Sequence, residues 1–151
     1  MKLRDEIKQT KPFASREEEA LLNLQRTAER LNWKWAEMLK PWDLTPAQYN
    51  ALRILRGAGK AGLACSEIGA RMVTQDSDIT RLLDRLEKKG LVARARNSRD
   101  RRVVIARATK KALELLAELD GPATEFAKKC MKGLEPRRLE ELSESLERVR
   151  E

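Results

Sequence analysis

Residues 77–108, SDITRLLDRLEKKGLVARARNSRDRRVVIARA, change their hydrophobic period at Gly90. Before this glycine, apolar residues recur at spacings of three and four, which places them on one face of a predicted helix: Ile79, Leu82, Leu83 and Leu86. After it, small and apolar residues alternate with arginines at a period of two, and the turn residues NSRD interrupt the alternation. The stretch therefore predicts a helix, a left-handed glycine terminator and a short hairpin with arginines at its tip.

The outward face of this predicted helix is polar and mainly basic. At about 100° per residue, the side opposite the leucines carries Ser77, Arg81, Asp84, Arg85 and Lys88, with Asp78 on its flank. For Asp84 we expect pairing with Lys88 one turn later. Asp78 has two interpretations, because it can accept a hydrogen bond from a cytosine amino group or can orient Arg81. Structural pairing is the favoured role for both acids.

Capping signals place the helices upstream. The predicted N-caps are Ser15, Thr45, Ser66 and, for the helix described above, either Thr74 or Asp76. The first cap begins a long amphipathic helix that ends before Pro41. The second begins a helix with proline at its first position, which continues until the glycines from Gly57 onward. The third begins a short helix.

Two further helices are predicted downstream of the hairpin. Thr109 is the N-cap of the first, and the sequence DGP at residues 120–122 predicts a break or a kink in it. The last helix starts near Pro136. The predicted fold class is therefore mostly α with a small β-hairpin.

The chain has 151 residues and a formal net charge of +8, with a pI near 9.8. Residues 94–111 contain eight basic residues and one acid, so most of the excess charge lies there. This concentration predicts a polyanionic partner, either nucleic acid or an anionic membrane surface. No apolar run approaches the roughly 20 residues that span a bilayer. Residues 1–13, MKLRDEIKQTKPF, lack the apolar core of a signal peptide, so we expect a cytoplasmic protein without a membrane partner.

The residue types present argue against an enzyme. Histidine, the commonest general base, is absent. No phosphate-binding glycine loop, zinc spacing or nucleophile elbow occurs. Cys65 and Cys130 are too far apart for a disulfide framework or a metal motif, so we expect no metal and no cofactor. Cys65 has two interpretations, a redox-sensitive thiol near a helix start or a small buried residue, and the second is favoured.

The order of elements is that of a winged helix-turn-helix. Two short helices precede an amphipathic helix with an outward arginine face, the predicted recognition helix that ends at Gly90. A basic hairpin, the predicted wing, follows it. An α-helix fits the major groove of DNA, and an arginine tip fits the negative minor groove. Three other cations are predicted to contact phosphates: Arg94, Arg96 and Lys110.

The run SDITRLLDRLEKKGLVAR, followed by SRDRR and ATKKALELL, resembles the MarR family of bacterial transcriptional regulators. LTPAQYNALRIL upstream resembles the second helix of that family, and the resemblance covers roughly residues 44–119. The family's Asp-x-Arg wing motif falls on Asp100 and Arg102, which implies that Asp100 holds an arginine while the tip arginines approach the minor groove. The chain departs from the family pattern at Ala112, where glycine is common, and at Arg107, where an apolar residue is common.

The resemblance implies a homodimer that binds double-stranded DNA at a near-palindromic operator, most simply as a repressor. Apolar stripes on both terminal helices agree, because too little chain is left to cover them. The predicted organisation is an N-terminal dimerisation helix at residues 1–40, a DNA-binding lobe at residues 41–108 and C-terminal dimerisation helices at residues 109–151. Residues 1–13 are expected either to be disordered or to cross to the partner subunit.

The predicted DNA-binding residues combine the outward face of the recognition helix with the wing: Ser77, Asp78, Thr80, Arg81, Arg85, Arg94, Arg96, Arg99, Asp100, Arg101 and Arg102. The alternative function is a basic helical interaction module that binds a protein or an anionic membrane. That function would place the positive charge on an amphipathic helix, whereas here it lies mainly on the predicted hairpin.

All three tryptophans of the chain lie in residues 33–44, WKWAEMLKPWDL. In MarR-like proteins, aromatic acids bind between the dimer helices and the DNA-binding lobe. The resemblance therefore implies contacts to a small aromatic effector at Trp35, Met38, Trp42 and Tyr49. Ordinary packing of large side chains in a dimer interface is the other interpretation, and it is the favoured one.

Overall fold

The computed structural model describes residues 2–74 and 78–151, which contain seven α-helices and three short strands. The chain divides into two compact units, Met1–Pro46 and Ala47–Glu151. The prediction of a mostly helical protein with a small β-structure is confirmed. The helices of the described ranges include none that is long and apolar enough to span a membrane.

The first unit is built on one long helix. A short helix α1 (Leu3–Glu6) precedes α2 (Arg16–Leu39), and a 3-10 turn (Lys40–Trp42) follows. The predicted N-cap is confirmed, because the Glu18 amide donates to Ser15 Oγ at 3.1 Å. The predicted end is also confirmed, since proline occupies the second position of the 3-10 turn and cannot continue the α-helical hydrogen bonds.

The segment at residues 2–13 contains helix α1 and returns toward α2. Arg4 donates to two backbone carbonyls beyond α1, those of Gln9 at 3.2 Å and Thr10 at 3.0 Å. Glu6 Oε2 lies 3.6 to 3.7 Å from the guanidinium groups of two arginines on α2, Arg26 and Arg30. The segment is therefore ordered by ion pairs within its own unit.

The second unit starts with three helices: α3 (Pro46–Ala58), α4 (Cys65–Arg71) and α5 (Ile79–Lys88). Helix α3 runs through Gly57 and ends at Ala58, within the run of glycines that was predicted to end it. The prediction of Ser66 as an N-cap is wrong. The N-cap is Ala64, two residues earlier, and Glu67 Oε2 accepts from the Ala64 amide at 3.3 Å.

The N-cap of α5 is Asp78, not Thr74 or Asp76. The Arg81 amide donates to Asp78 Oδ1 at 2.9 Å, which satisfies one of the free amides of the first turn. Asp76 lies outside the described residues. The predicted apolar face of α5 is confirmed: Leu82, Leu83 and Leu86 are buried and Ile79 is half-buried.

Three antiparallel strands follow the order β1 (Leu63–Ala64), β3 (Val104–Ala108), β2 (Val92–Arg96), so the sheet has one strand more than the predicted hairpin. Strands β2 and β3 form the wing, and β2 is an edge strand. Gly90 has φ +71° and turns the chain from α5 into β2, as predicted.

Two helices complete the second unit, α6 (Lys110–Cys130) and α7 (Pro136–Arg150). Thr109 is confirmed as the N-cap of α6, and proline is confirmed at the first position of α7. A break or a kink was predicted at residues 120–122, and the break is wrong, because α6 continues through Pro122. Just before this proline, Arg56 on α3 holds Asp120 through two hydrogen bonds of 2.9 Å.

The core of the second unit consists mainly of leucines from several helices. Fully buried side chains come from α3, α4, α5 and α6: Leu52, Leu55, Ile68, Leu83, Leu86, Leu116 and Leu119. Burying one such side chain contributes about 1.5–3 kcal/mol relative to leaving it in water. Packing of this kind fixes α5 by its inner face and leaves its outer face free.

Candidate nucleic-acid interface

The outer face of α5, the recognition helix, presents uncompensated positive charge. Arg81 and Arg85 lie one helical turn apart and both are exposed. Among residues 2–74 and 78–151, no acidic side chain forms an ion pair with either arginine. Thr80 is exposed in the first turn of the same helix, while Ser77 lies outside the described residues. The two arginines are therefore available to an external anion.

The position of Asp78 explains an acid beside this basic face. Its carboxylate caps the helix by accepting from the Arg81 amide, so it orients the backbone of Arg81. This agrees with the structural interpretation of Asp78.

The wing turn is shaped by side chains that accept from backbone amides. Asn97 Oδ1 accepts from the Arg99 amide at 2.8 Å, and Asp100 Oδ1 accepts from the Arg102 amide at 3.0 Å. The Asn97 amide also donates to the Val103 carbonyl at 2.8 Å, which closes the turn. Residues with short polar side chains thus determine the conformation of the loop that carries the arginines.

Asp100 also holds the side chain of Arg102. Arg102 Nε lies 3.1 Å from Oδ1 and Nη2 lies 3.2 Å from Oδ2 of the same carboxylate. These donors stabilise the charged carboxylate and lower the pKa of Asp100 below its usual value. The Arg102 side chain nevertheless stays 91% exposed, so its position is fixed while its outer surface remains open.

Three other arginines surround the tip of the wing: Arg96, Arg99 and Arg101. All are exposed, and Arg96 Nη1 makes only a long hydrogen bond of 3.5 Å to the Arg101 carbonyl. Within the part of the chain that the structure describes, none of the three pairs with a carboxylate. Lys110, a further predicted phosphate contact, lies 3.7 Å from Glu114 on the exposed start of α6.

Arg94 differs from the other wing arginines because two acids of α5 surround it. Its Nη2 lies 2.5 Å from Asp84 Oδ1 and 2.6 Å from Glu87 Oε2. The predicted pairing of Asp84 with Lys88 is therefore wrong, because Asp84 pairs with Arg94. Hydrogen bonds from Arg94 lower the pKa of Glu87, and the same contacts raise the pKa of Arg94. The signal in the sequence that could have indicated this pairing is the spacing of the two acids, three residues apart, just before a strand of alternating arginines.

Contacts between residues distant along the chain fix the turn after α4 and the end of the recognition helix. Before it, the Val73 amide donates to Asn50 Oδ1 on α3 at 2.8 Å. After it, Thr109 Oγ1 donates to the Gly90 carbonyl at 2.7 Å, and Lys111 Nζ donates to the Lys89 carbonyl at 2.8 Å. The lysine satisfies a carbonyl at the negative end of the helix. Sequence reasoning missed these contacts, since they join residues that are distant along the chain.

The residues predicted for an effector fall in both units. Trp35, Met38 and Trp42 are half-buried in the first unit. Tyr49, in the second unit, is only 4% exposed, and the Arg53 guanidinium lies 5.8 Å from its ring centroid. A cavity of about 300 Å³ in the second unit is lined by other residues, among them Leu55, Arg107 and Leu113.

Cys65 at the start of α4 is half-buried. Burial raises the pKa of its thiol above the ordinary value, while the nearby Arg94 charge acts in the opposite direction with smaller effect. A raised pKa is typical of an unreactive structural cysteine. In the described residues, no group of three or more cysteine, aspartate or glutamate side chains is arranged to hold a metal ion.

Comparison with known proteins shows which family the chain resembles in sequence and in structure. The model of the MarR family matches residues 44–104. A MarR transcription factor from Planctomyces limnophilus is 37% identical, with 90% of this chain and 98% of that chain covered and a TM-score of 0.70. A cysteine-to-serine variant of MarR from E. coli, solved with operator DNA, is 25% identical, with 83% and 89% covered and a TM-score of 0.76.

One curated relative is the transcriptional repressor MdtR of Bacillus subtilis. It is 39% identical over 83 residues, which cover 55% of this chain and 52% of the relative. The matched part therefore spans about half the length of that relative.

Proposed function

The chain belongs to the MarR family, and from this premise we propose that it is a homodimeric transcriptional regulator that binds specific double-stranded DNA. We propose further that it acts as a repressor at a near-palindromic operator. The observation that carries the proposal is the pairing of an arginine face on α5 with an adjacent basic wing. Arg81 and Arg85 on the helix lack acidic partners within the described ranges, as do Arg96, Arg99 and Arg101 on the wing.

In the proposed complex, the recognition helix enters the major groove and the wing follows the adjacent minor groove. Arg81 and Arg85 contact base edges or phosphates, together with Thr80 and the predicted contact Ser77. The tip arginines occupy the minor groove, where negative potential attracts them: Arg96, Arg99, Arg101 and Arg102. Asp78 and Asp100 act by orienting these arginines, as their hydrogen bonds to backbone amides support.

Dimerisation is proposed for residues 1–40 and 109–151, with residues 41–108 as the DNA-binding lobe. The support is apolar surface that remains open on helices α2 and α7. Leu21 on α2 is 54% exposed, Val149 on α7 is 68% exposed, and α7 has no buried residue. A two-fold dimer would cover such stripes and would place two recognition helices about one turn of DNA apart.

We propose that the protein works in the cytoplasm, without catalysis and without a cofactor, and that release by a small aromatic effector is one mode of its regulation. The proposed effector contacts are Trp35, Met38, Trp42 and Tyr49. Partial exposure of the two tryptophans supports them. Titration of tryptophan fluorescence with salicylate and benzoate, alongside the DNA-binding assay, tests this part of the proposal.

The experiment that tests the main proposal is selection of bound sequences from a random pool of duplex DNA. We expect enrichment of a near-palindrome with half-sites about 10 base pairs apart between centres, or a multiple of that spacing. Arg81→Ala should reduce the enrichment at matched protein concentration. Lys132→Ala, which removes one charge from the turn between α6 and α7, serves as the control and should select the same site. A pool without enrichment would contradict sequence-specific binding and favour a protein or membrane partner.

A further inference from the structure

Arg94 lies on the first strand of the wing, yet its side chain is directed at the recognition helix. Nε and Nη2 of Arg94 donate to Glu87 Oε2 at 3.1 and 2.6 Å, and Nη2 also donates to Asp84 Oδ1 at 2.5 Å. The Arg94 side chain is 22% exposed, compared with 91% for Arg102 at the tip of the same wing. The guanidinium is therefore largely enclosed by carboxylates of α5.

The backbone at this position makes a second link. Strand β2 is at the edge of the sheet, next to β3. The Arg94 amide donates to Glu87 Oε1 at 3.1 Å, so a helix side chain satisfies an amide of an edge strand. Glu87 consequently uses one oxygen for the backbone and the other for the side chain of the same residue.

The charges of this cluster are unsuited to a phosphate. One arginine faces two carboxylates, which leaves the group formed by Arg94, Asp84 and Glu87 with a net charge of −1. A phosphate near Arg94 would have to displace one of these acids or approach against its charge. Among the described residues, Arg96, Arg99 and Arg101 pair with no carboxylate, and Arg102 pairs with Asp100 alone while its side chain stays 91% exposed.

We propose that Arg94 is a positioning residue, which fixes the wing against the recognition helix through Glu87 and Asp84, instead of contacting DNA. This inference rests on the proposed function for its consequence in DNA binding. A wing held in place before binding loses less conformational freedom when the complex forms, so the contacts of Arg81 and of the tip arginines are made at lower entropic cost.

The test compares Arg94→Ala with Arg96→Ala, which removes an exposed arginine two residues further along the same strand. Affinity for the duplex selected by the wild-type protein is measured over a series of salt concentrations. For Arg94→Ala we expect a loss on the order of tenfold at fixed salt and an unchanged dependence of log K on log salt. For Arg96→Ala we expect that slope to become shallower, by about 0.9 for each phosphate that the variant no longer neutralises.

A third variant, Glu87→Ala, separates positioning from charge. It removes negative charge beside the DNA-facing surface, so simple electrostatics predicts tighter binding. Positioning predicts weaker binding, together with faster hydrogen exchange of the Arg94 amide in the free protein. Tighter binding by Glu87→Ala, or a slope for Arg94→Ala as shallow as that for Arg96→Ala, would overturn the inference.

Failure of the proposed function can be distinguished from failure of the inference about Arg94. If the wild-type protein bound no duplex, that function would fail, while the link between wing and helix would still stand or fall by amide exchange in Glu87→Ala. If Arg94→Ala did not fold, Glu87→Ala would decide the matter, because alanine keeps the helix and the replaced side chain is 40% exposed.

Discussion

Asp100 and Arg102 are joined across the wing turn by three hydrogen bonds, one from the Arg102 amide and two from its guanidinium, at 3.0 to 3.2 Å. The same carboxylate therefore shapes the loop and fixes an arginine side chain. Because Arg102 remains exposed, the arrangement holds a cation in place without enclosing it. This differs from the arrangement at Arg94, where the carboxylates surround the cation.

Replacing Asp100 tests this relationship. Asp100→Ala removes a negative charge from the wing tip, yet we expect it to weaken binding to the selected duplex by roughly three- to tenfold. The reason is that the loop and Arg102 lose their common acceptor. Fluorescence anisotropy with labelled duplex measures the effect. Glu114→Ala, which removes an exposed acid at the start of α6, is the control and should bind as tightly as wild type or more tightly.

Arg81 is the clearest candidate for a direct contact. Arg81→Ala should weaken binding by about 1–3 kcal/mol per contact if the side chain reads a base edge. Selection with the variant should then show relaxed preference at one position of each half-site. A loss that is uniform across sequences and accompanied by a shallower salt slope would assign Arg81 to a phosphate instead.

Gly62 is required by close packing beneath the sheet. It has φ +73°, and a β-carbon there would lie 2.5 Å from the Ala106 carbonyl oxygen and 2.6 Å from Arg107 Cγ. We expect Gly62→Ala to lower the free energy of unfolding by at least about 2 kcal/mol, measured by urea denaturation, since the left-handed conformation alone costs an alanine about 1–2 kcal/mol.

Gly57 provides the matched control for that substitution. It lies inside helix α3, and a β-carbon there would meet no atom within 4 Å. Gly57→Ala should leave stability unchanged or raise it by up to about 1 kcal/mol, because alanine favours the helix. Equal effects at the two positions would contradict the packing described for Gly62.

The ion pair between Arg56 and Asp120 predicts a dependence of stability on pH. Arg56 lowers the pKa of Asp120 from its usual value of 3.8. The ion pair therefore contributes its full stabilisation at pH values above the usual pKa of Asp120. This stabilisation is lost as the pH falls through the lowered pKa of Asp120 in the folded state. Asp120→Asn should lower the melting temperature at pH 7. It should also reduce the fall in melting temperature that the wild-type protein shows between pH 5 and about pH 2. Because the Asp120 side chain is 54% exposed, the effect should be small.

The control for this pH dependence is Glu118→Gln, which changes an exposed carboxylate on the same helix. Its melting temperature should follow that of the wild-type protein at each pH. A wild-type acid transition that Asp120→Asn left unaltered would show that the ion pair contributes nothing to stability.

Local signals in the sequence predicted most of the fold. The periodicity of α5, the caps at Ser15 and Thr109 and the left-handed glycine at Gly90 depend on nearby residues, and the structure has them as predicted. Strand β1 was missed because its two residues are too few to show alternation. The continuity of α6 was missed because Pro122 suggests a break, whereas packing of the preceding leucines keeps the helix together.

In the predicted site, too, features that depend on nearby residues were predicted and features that depend on distant residues were not. The exposure of Arg81, Arg85 and the tip arginines follows from periodicity and turn chemistry. The pairing of Arg94 with Asp84 and Glu87 does not, because it depends on how β2 lies against α5 after the chain turns at Gly90. The sequence shows Arg94 as one of several arginines in a basic segment, and only its three-dimensional contacts distinguish it from the exposed arginines nearby.

The measurement that most directly tests DNA binding through these arginines is a salt titration of affinity for the selected duplex. Each phosphate contact contributes about −0.9 to the slope of log K against log salt concentration. With several uncompensated arginines in each of two subunits, we expect a slope of about −4 or steeper. A slope near zero, with binding that persists unchanged at high salt, would contradict an interface built on these arginines.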